Sequence, residues 1–131
     1  MSVFLGIGLG PIQTGIFLSG AWRGGVKRLV VAEVEAALVE QVREADGRIS
    51  INIAHENNVT SETISGVEIY NPLDPKDKEI LISIAADASE IATALPSVKV
   101  FPTALSFSTV PFTCTARPAT MLLSHRWTKV A

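Results

Sequence analysis

Cysteine is almost missing. The single Cys114 in 131 residues cannot close an internal disulfide, so the chain suits a reducing compartment and a cytoplasmic location is expected. Histidine is equally scarce: His55 and His125, even with Cys114, offer no zinc-like ligand spacing, and no metal site is expected. Cys114 has no identifiable activating partner, which argues against a nucleophile. Clusters of basic residues are absent too. A formal net charge of −2 and a pI near 5.6 argue against a nucleic-acid surface, because a phosphate backbone rewards clustered Lys and Arg. No charge falls in residues 1–21, yet no basic residue precedes the apolar run and five of the first twenty residues are glycine. That composition suits a turn better than a signal peptide or a membrane span, so neither is expected. Acidic residues stop at Glu90, and residues 101–131 carry only Arg117, Arg126 and Lys129 as charged groups.

What is present is apolar patterning: 47% hydrophobic residues suffice for a buried core in one domain. Ser2 to Leu5 reads as a short buried strand running into a glycine-dense turn, Gly6-Ile7-Gly8-Leu9-Gly10-Pro11-Ile12-Gln13-Thr14-Gly15. A helix follows from Pro11, with Ile12, Ile16 and Phe17 expected on its buried face and Gly24-Gly25 as its stop. Lys27 to Ala32 is a β-branched strand that ends on Glu33. A second helix spans Glu35 to Ala45, with Leu38 and Val42 expected inward and Asp46-Gly47 ending it. The alternation of Ile49, Ile51 and Ile53 predicts strand three, and the alternation from Val59 to Tyr70 around Ser65-Gly66 predicts an inserted antiparallel hairpin. Asp74 caps a third helix that has Pro75 at its first position and Ile80, Ile84 and Ala88 as its apolar stripe. Glu90 to Leu95 is a fourth strand, turned at Pro96-Ser97.

These elements predict an α/β fold: a partial Rossmann-like, doubly wound parallel sheet, βαβαβ with an inserted hairpin, over residues 1–100. Residues 101–131 are rich in Ser, Thr and Pro and keep neither period, so an irregular tail outside that fold is expected. Glycines after a first strand let the backbone approach a phosphate, whose charge meets the amides of a helix N-terminus. Glu33, twenty positions beyond Gln13, stands where an acid at the end of the second strand accepts hydrogen bonds from an adenosine ribose. A carboxylate there repels a 2′-phosphate, and no Arg or Lys follows until Arg43, which favours NAD over NADP. The expected cofactor-binding set is Gly8, Gly10, Pro11, Ile12, Gln13 and Glu33, joined at the end of the fourth strand by Ala94, Leu95 and Pro96 through backbone atoms. Gly6-x-Gly8-x-Gly10 also matches the glycine pattern of an S-adenosylmethionine-dependent methyltransferase, but that chemistry expects an acid just before the glycines, where Phe4-Leu5 stands.

Residues 3 to about 100 resemble the N-terminal coenzyme domain of the mannitol-1-phosphate 5-dehydrogenase and long-chain polyol dehydrogenase family. The resemblance is carried by Gly8 through Gly15, by Ala32-Glu33-Val34, and by Val59 to Ile69 with Ser65-Gly66-Val67. It implies a domain that binds NAD and a second, mostly helical domain that binds a polyol or its phosphate, together interconverting a secondary alcohol and a ketone. Gln13 departs from the glycine fingerprint at its third position. The family's catalytic pattern, Lys-x4-Asn-x2-His, follows no lysine of this chain, so no catalytic residue is assigned. The expectation is a truncated coenzyme-binding portion, inactive alone, with an unrelated or frame-shifted tail.

Other residues read more plainly. His55 is expected in a loop or at a strand end, Trp22 against the first helix, and Lys76 to Glu79 on a solvated helix start. The alternative in a different class is a non-catalytic interaction module that self-associates through an open sheet edge, with Phe101, Phe107, Phe112 and Trp127 as a cover.

Overall fold

The computed structural model of the chain describes residues 1–95, together with the backbone of two short strands at 112–114 and 127–129. In chain order, β1 (Val3–Ile7) leads into a π-helical segment (Gln13–Leu18) continued by α1 (Ser19–Arg23), then β2 (Arg28–Ala32) and α2 (Ala36–Glu44). The hairpin strands β3 (Ile49–Ala54) and β4 (Val59–Ile64) follow, then β5 (Val67–Tyr70), α3 (Pro75–Asp87) and β6 (Glu90–Thr93). The described strands end with β7 (Phe112–Cys114) and β8 (Trp127–Lys129).

The fold is α/β. Four strands form one sheet in the order β5-β2-β1-β6, and every pair within it is parallel. Parallel neighbours need crossover connections, which the π-helical segment with α1, α2 with the hairpin, and α3 supply. All five residues of β1 are buried, as expected for a strand covered on both faces. On one face Phe4, Leu29, Val31, Val67, Ile69 and Ala92 pack with Leu18, with Val39 and Val42 of α2, and with Ile51 and Ile64 of the hairpin. On the other, Val3, Leu5, Ile7, Val30 and Ala32 pack on Leu81, Ile84 and Ala85 of α3. Among the described residues no helix is long and apolar enough to cross a membrane.

Several expectations are corrected. The hairpin joins β3 to β4 through residues 55–58, where the His55 amide donates to the Asn58 carbonyl. It does not turn at Ser65-Gly66, and the third parallel strand is β5, not the isoleucine strand at 49–54. Gly66, at φ +75°, instead lets the chain leave β4 for the main sheet. In α2 the buried pair is Val39 and Val42, with Leu38 half-buried. In α3 three residues are buried, Leu81, Ile84 and Ala85, while Ile80 is exposed and Ala88 half-buried. A stripe counted strictly in fours drifts about 40° per step round a helix of 3.6 residues per turn, so the true face mixes threes and fours. In the first helix Ile12 and Ile16 are 45% and 53% exposed, while Gln13 and Leu18 are fully buried. The π-helical turn sets that register, and an α-helical template could not foresee it. Asp74 caps α3 as expected, accepting from the Lys76 and Asp77 amides.

The tail was expected to be irregular, but β7 and β8 pair antiparallel within it. The turn at Pro96-Ser97, the boundary near residue 100, and the cover by Phe101 and Phe107 lie outside the described residues, as do the side chains of Phe112, Cys114 and Trp127. On the outer side of β5 the Val67 amide donates to the Gly47 carbonyl, and the Arg43 guanidinium donates to the Ile69 carbonyl while pairing with Asp77 at 2.7 Å. These two outward groups of β5 are engaged, which makes this stretch of edge a poorer template for another chain.

The β2–β5 seam carries a fork-to-fork pair. Arg28 Nε and a terminal nitrogen meet the two Glu68 oxygens at 2.8 Å each, and the Tyr70 hydroxyl donates to Glu68 at 3.0 Å. The Arg28 hydrogen bonds hold the Glu68 carboxyl below the ordinary carboxylate range, while burial, and then Glu68 itself, push the Tyr70 hydroxyl up. The Glu68 contribution is therefore complete above its unfolded value and is lost as pH falls through the lowered folded one. That of Tyr70 is complete below its unfolded value, about 10, and is lost as pH rises through the raised folded one. Both members of the ion pair are about a third exposed, which screens it. Glu68→Gln should cost less than about 1 kcal/mol at neutral pH and flatten the acid limb of a stability profile. Urea midpoints from pH 3 to 8 check this, and parallel acid limbs in the two proteins would refute the assignment.

Candidate functional site

Parallel strands end on the same side, and three adjacent ones bring their next residues together. Gly8 follows β1, Glu33 follows β2 and Ala94 follows β6, with Ile7 in register with both Ala32 and Thr93. The chain leaves β1 to build β2 and β5 on one side, then returns to place β6 on the other. The crevice beyond the carboxyl ends at such a reversal is the usual ligand position in open α/β sheets.

Gly8 is held there by its neighbours. Its φ is +88°, its amide donates to the Ala32 carbonyl at 2.9 Å, and a Cβ would stand 2.9 Å from Leu95 Cδ2 and 3.1 Å from the Ala94 carbonyl oxygen. Only glycine tolerates both that conformation and that approach. Gly10 differs: a Cβ there would meet nothing within 4 Å, and its carbonyl accepts from the Thr14 amide and hydroxyl. The amides of Ile12 and Gln13 precede this first intrahelical bond, and Pro11 has none to give.

Glu33 is buried, at 9% exposed, and both of its oxygens are committed. One accepts from the Leu9 amide at 2.6 Å, inside the glycine loop, and the other from the Glu35 amide at 2.9 Å. The backbone on either side is tied to β5, since the Glu33 amide donates to the Tyr70 carbonyl and Asn71 Nδ2 to the Val34 carbonyl. A carboxylate so placed orients the loop and can also accept from a hydroxyl pair laid across the end of β2.

Of the sequence-predicted residues, Gly8, Glu33, Ala94 and Leu95 converge directly or through Leu9. Gly10 is half-exposed beside them, and Pro11 and Ile12 are exposed on the first turn. Gln13 does not face the crevice: it is fully buried under β1, and its carboxamide lies where a Cβ on Gly6 would stand. Pro96 lies outside the described residues. Two participants escaped sequence reasoning. The Leu9 amide carries no side-chain signal, and Gly6 was legible only as one more glycine, although it alone makes room for Gln13. His55 is exposed in the hairpin turn, 2.9 Å from the Thr60 hydroxyl, and Trp22, within α1, packs half-buried on the core. No three metal-ligating side chains gather among the described residues.

These contacts separate the two glycines in a measurable way. Gly8→Ala should cost about 1–3 kcal/mol, from the left-handed backbone and the collision with Ala94 and Leu95. Gly10→Ala, into open space, should stay within about 0.5 kcal/mol. Urea unfolding of both variants checks the contrast, and equal losses would contradict the geometry.

No protein-family model matches the chain, and no curated protein matches it.

Proposed function

We propose that residues 1–95 form the adenosine-side half of a Rossmann-like dinucleotide-binding unit, and that the chain is the NAD-binding portion of an oxidoreductase interconverting a polyol or polyol phosphate and its ketose. The observation that carries this reading is the bond from the Leu9 amide to the Glu33 carboxylate. It joins the glycine loop after β1 to the acid after β2 at the reversal point of a parallel sheet, the two parts that meet a pyrophosphate and a ribose in such units. The preference for NAD over NADP rests on charge. Glu33 would repel a 2′-phosphate, and Arg43, the next cation along the chain, is committed to Asp77 and the Ile69 carbonyl. The polyol chemistry rests on the family resemblance. The residues that touch substrate would belong to a second domain, and this half alone would hold the coenzyme without turning it over.

The interaction-module reading draws support from Ile12 and Ile16, exposed on the first helix. It loses some support at β5, where two outward groups, the Val67 amide and the Ile69 carbonyl, are engaged. The methyltransferase reading has no acid before the glycines, where Phe4 and Leu5 are core residues.

Calorimetric titration tests the proposal. The purified chain should bind NAD and ADP-ribose saturably and NADP more weakly. Glu33→Ala should weaken NAD by about ten- to a hundredfold, the worth of hydrogen bonds to a charged acceptor. No saturable binding at millimolar NAD, by a chain whose circular dichroism shows it folded, would sink it.

A further inference from the structure

The first helix is built inside out at one position. Gln13, the most polar residue of its segment, is fully buried, and neither its Oε1 nor its Nε2 has a hydrogen-bond partner among the described residues. Ile12 and Ile16 beside it are about half exposed. The backbone explains how this arises. From Gln13 to Leu18 the chain is π-helical, and the Ser19 amide reaches back five residues to the Thr14 carbonyl. Gln13 and Leu18 are likewise five apart, so the wide turn stacks them on the same face, against the sheet. Gly6 completes the arrangement, because any side chain there would collide with Gln13 Nε2. The Ser19 hydroxyl, itself buried, donates to the Gly15 carbonyl at 2.7 Å and helps hold this register.

An α-helical turn over the same residues would undo it. With Leu18 kept in the core, the residues stacked beneath it would be Thr14 and Gly15, four and three positions back. Gln13 would swing roughly 140° away from Leu18, five steps of about 100° each. Its carboxamide would leave the sheet for the exposed side of the first turn, beside the Gly8–Gly10 loop. Two small residues would then face Gly6, and the unpaired polar atoms would meet solvent or ligand. Single π turns inside α-helices recur at functional sites, and each differs from the plain helix by a one-residue register change.

We infer that Gln13–Leu18 is a two-register element: in one register Gln13 is stored under Gly6, and in the other its carboxamide is presented at the carboxyl-end crevice, where a bound dinucleotide selects it. The second clause rests on the dinucleotide reading. A ligand shifts such an equilibrium only through contacts that differ between the registers. A carboxamide offering both a donor and an acceptor beside the glycine loop is such a contact. Gln13 thus acts as a binding residue despite being inaccessible in the register described here.

Relaxation-dispersion NMR on the full chain tests the registers without ligand. Exchange on the microsecond-to-millisecond scale should be confined to the amides of Gln13–Leu18 and to Gly6, with a minor register of on the order of 1–10%. Flat profiles across that segment overturn the inference. Gly6→Ala removes the space for the stored carboxamide: the variant should fold, lose the exchange, and show Gln13 carboxamide protons exchanging at solvent rates. If Gly6→Ala unfolds while Gly6→Ala/Gln13→Ala folds, the segment has one register only and the inference fails. The ligand arm uses NAD. Saturation should expose the Gln13 carboxamide in the wild type, and Gly6→Ala should bind NAD about ten- to a hundredfold tighter because its competent register is already populated. NAD that binds while Gln13 stays protected overturns this inference and leaves the dinucleotide reading intact. Absence of NAD binding, with exchange still present at Gln13–Leu18, removes the dinucleotide reading and leaves the two registers standing.

Discussion

A strand buried on both faces must be covered by a layer on each side, and for β1 that requirement organises the molecule. All five of its residues are buried, between β2 and β6 and between α3 and the opposite helical layer. Covering both faces of parallel strands demands crossovers, and the crossovers oblige all four strands to end on one side. The loop after β1 is the point from which the chain builds outward in both directions, so it lies between the loops after β2 and β6. The crevice is therefore a consequence of how the core is buried.

Among the described residues the contacts within that crevice are mostly backbone. Gly8 contributes an amide and a conformation, Leu9 an amide, and Ala94 a carbonyl that closes on Gly8. Glu33 is the one charged side chain that ties two of the loops together. Its carboxylate faces amides, while the nearest cations of the β2–β5 seam are already paired, Arg28 with Glu68 and Arg43 with Asp77. The proposed ligand, rich in hydroxyls and bearing phosphates, would meet complementary groups in both halves of the crevice.

Much of this was legible in the sequence because it rests on local chemistry. The glycine turn after an apolar strand, Glu33 at the end of the second strand, Asp74 with Pro75 at a helix start, and the Asp46-Gly47 stop are set by residues within a few positions of one another. What was missed depends on pairing across the chain. Alternation marks 49–54 and 59–64 as strands, but only long-range packing decides that they pair with each other and leave β5 to the main sheet. Leu38 and Val39 are neighbours of similar hydrophobicity, and the side that faces the sheet is chosen by the angle at which α2 docks. Gln13 is the sharpest case. Its burial depends on Gly6, seven residues earlier, and on a π turn that no 3.6-residue template contains.

The proposed occupant of the loops after β1, β2 and β6 is an adenosine diphosphate group. Amide chemical-shift mapping with ADP-ribose tests it most directly, because it locates binding residue by residue. Saturable shifts are expected at Gly8, Leu9, Gly10, Glu33 and Ala94, with the β3–β4 hairpin unmoved. Shifts centred on the hairpin, or none at millimolar ligand, would contradict that proposal.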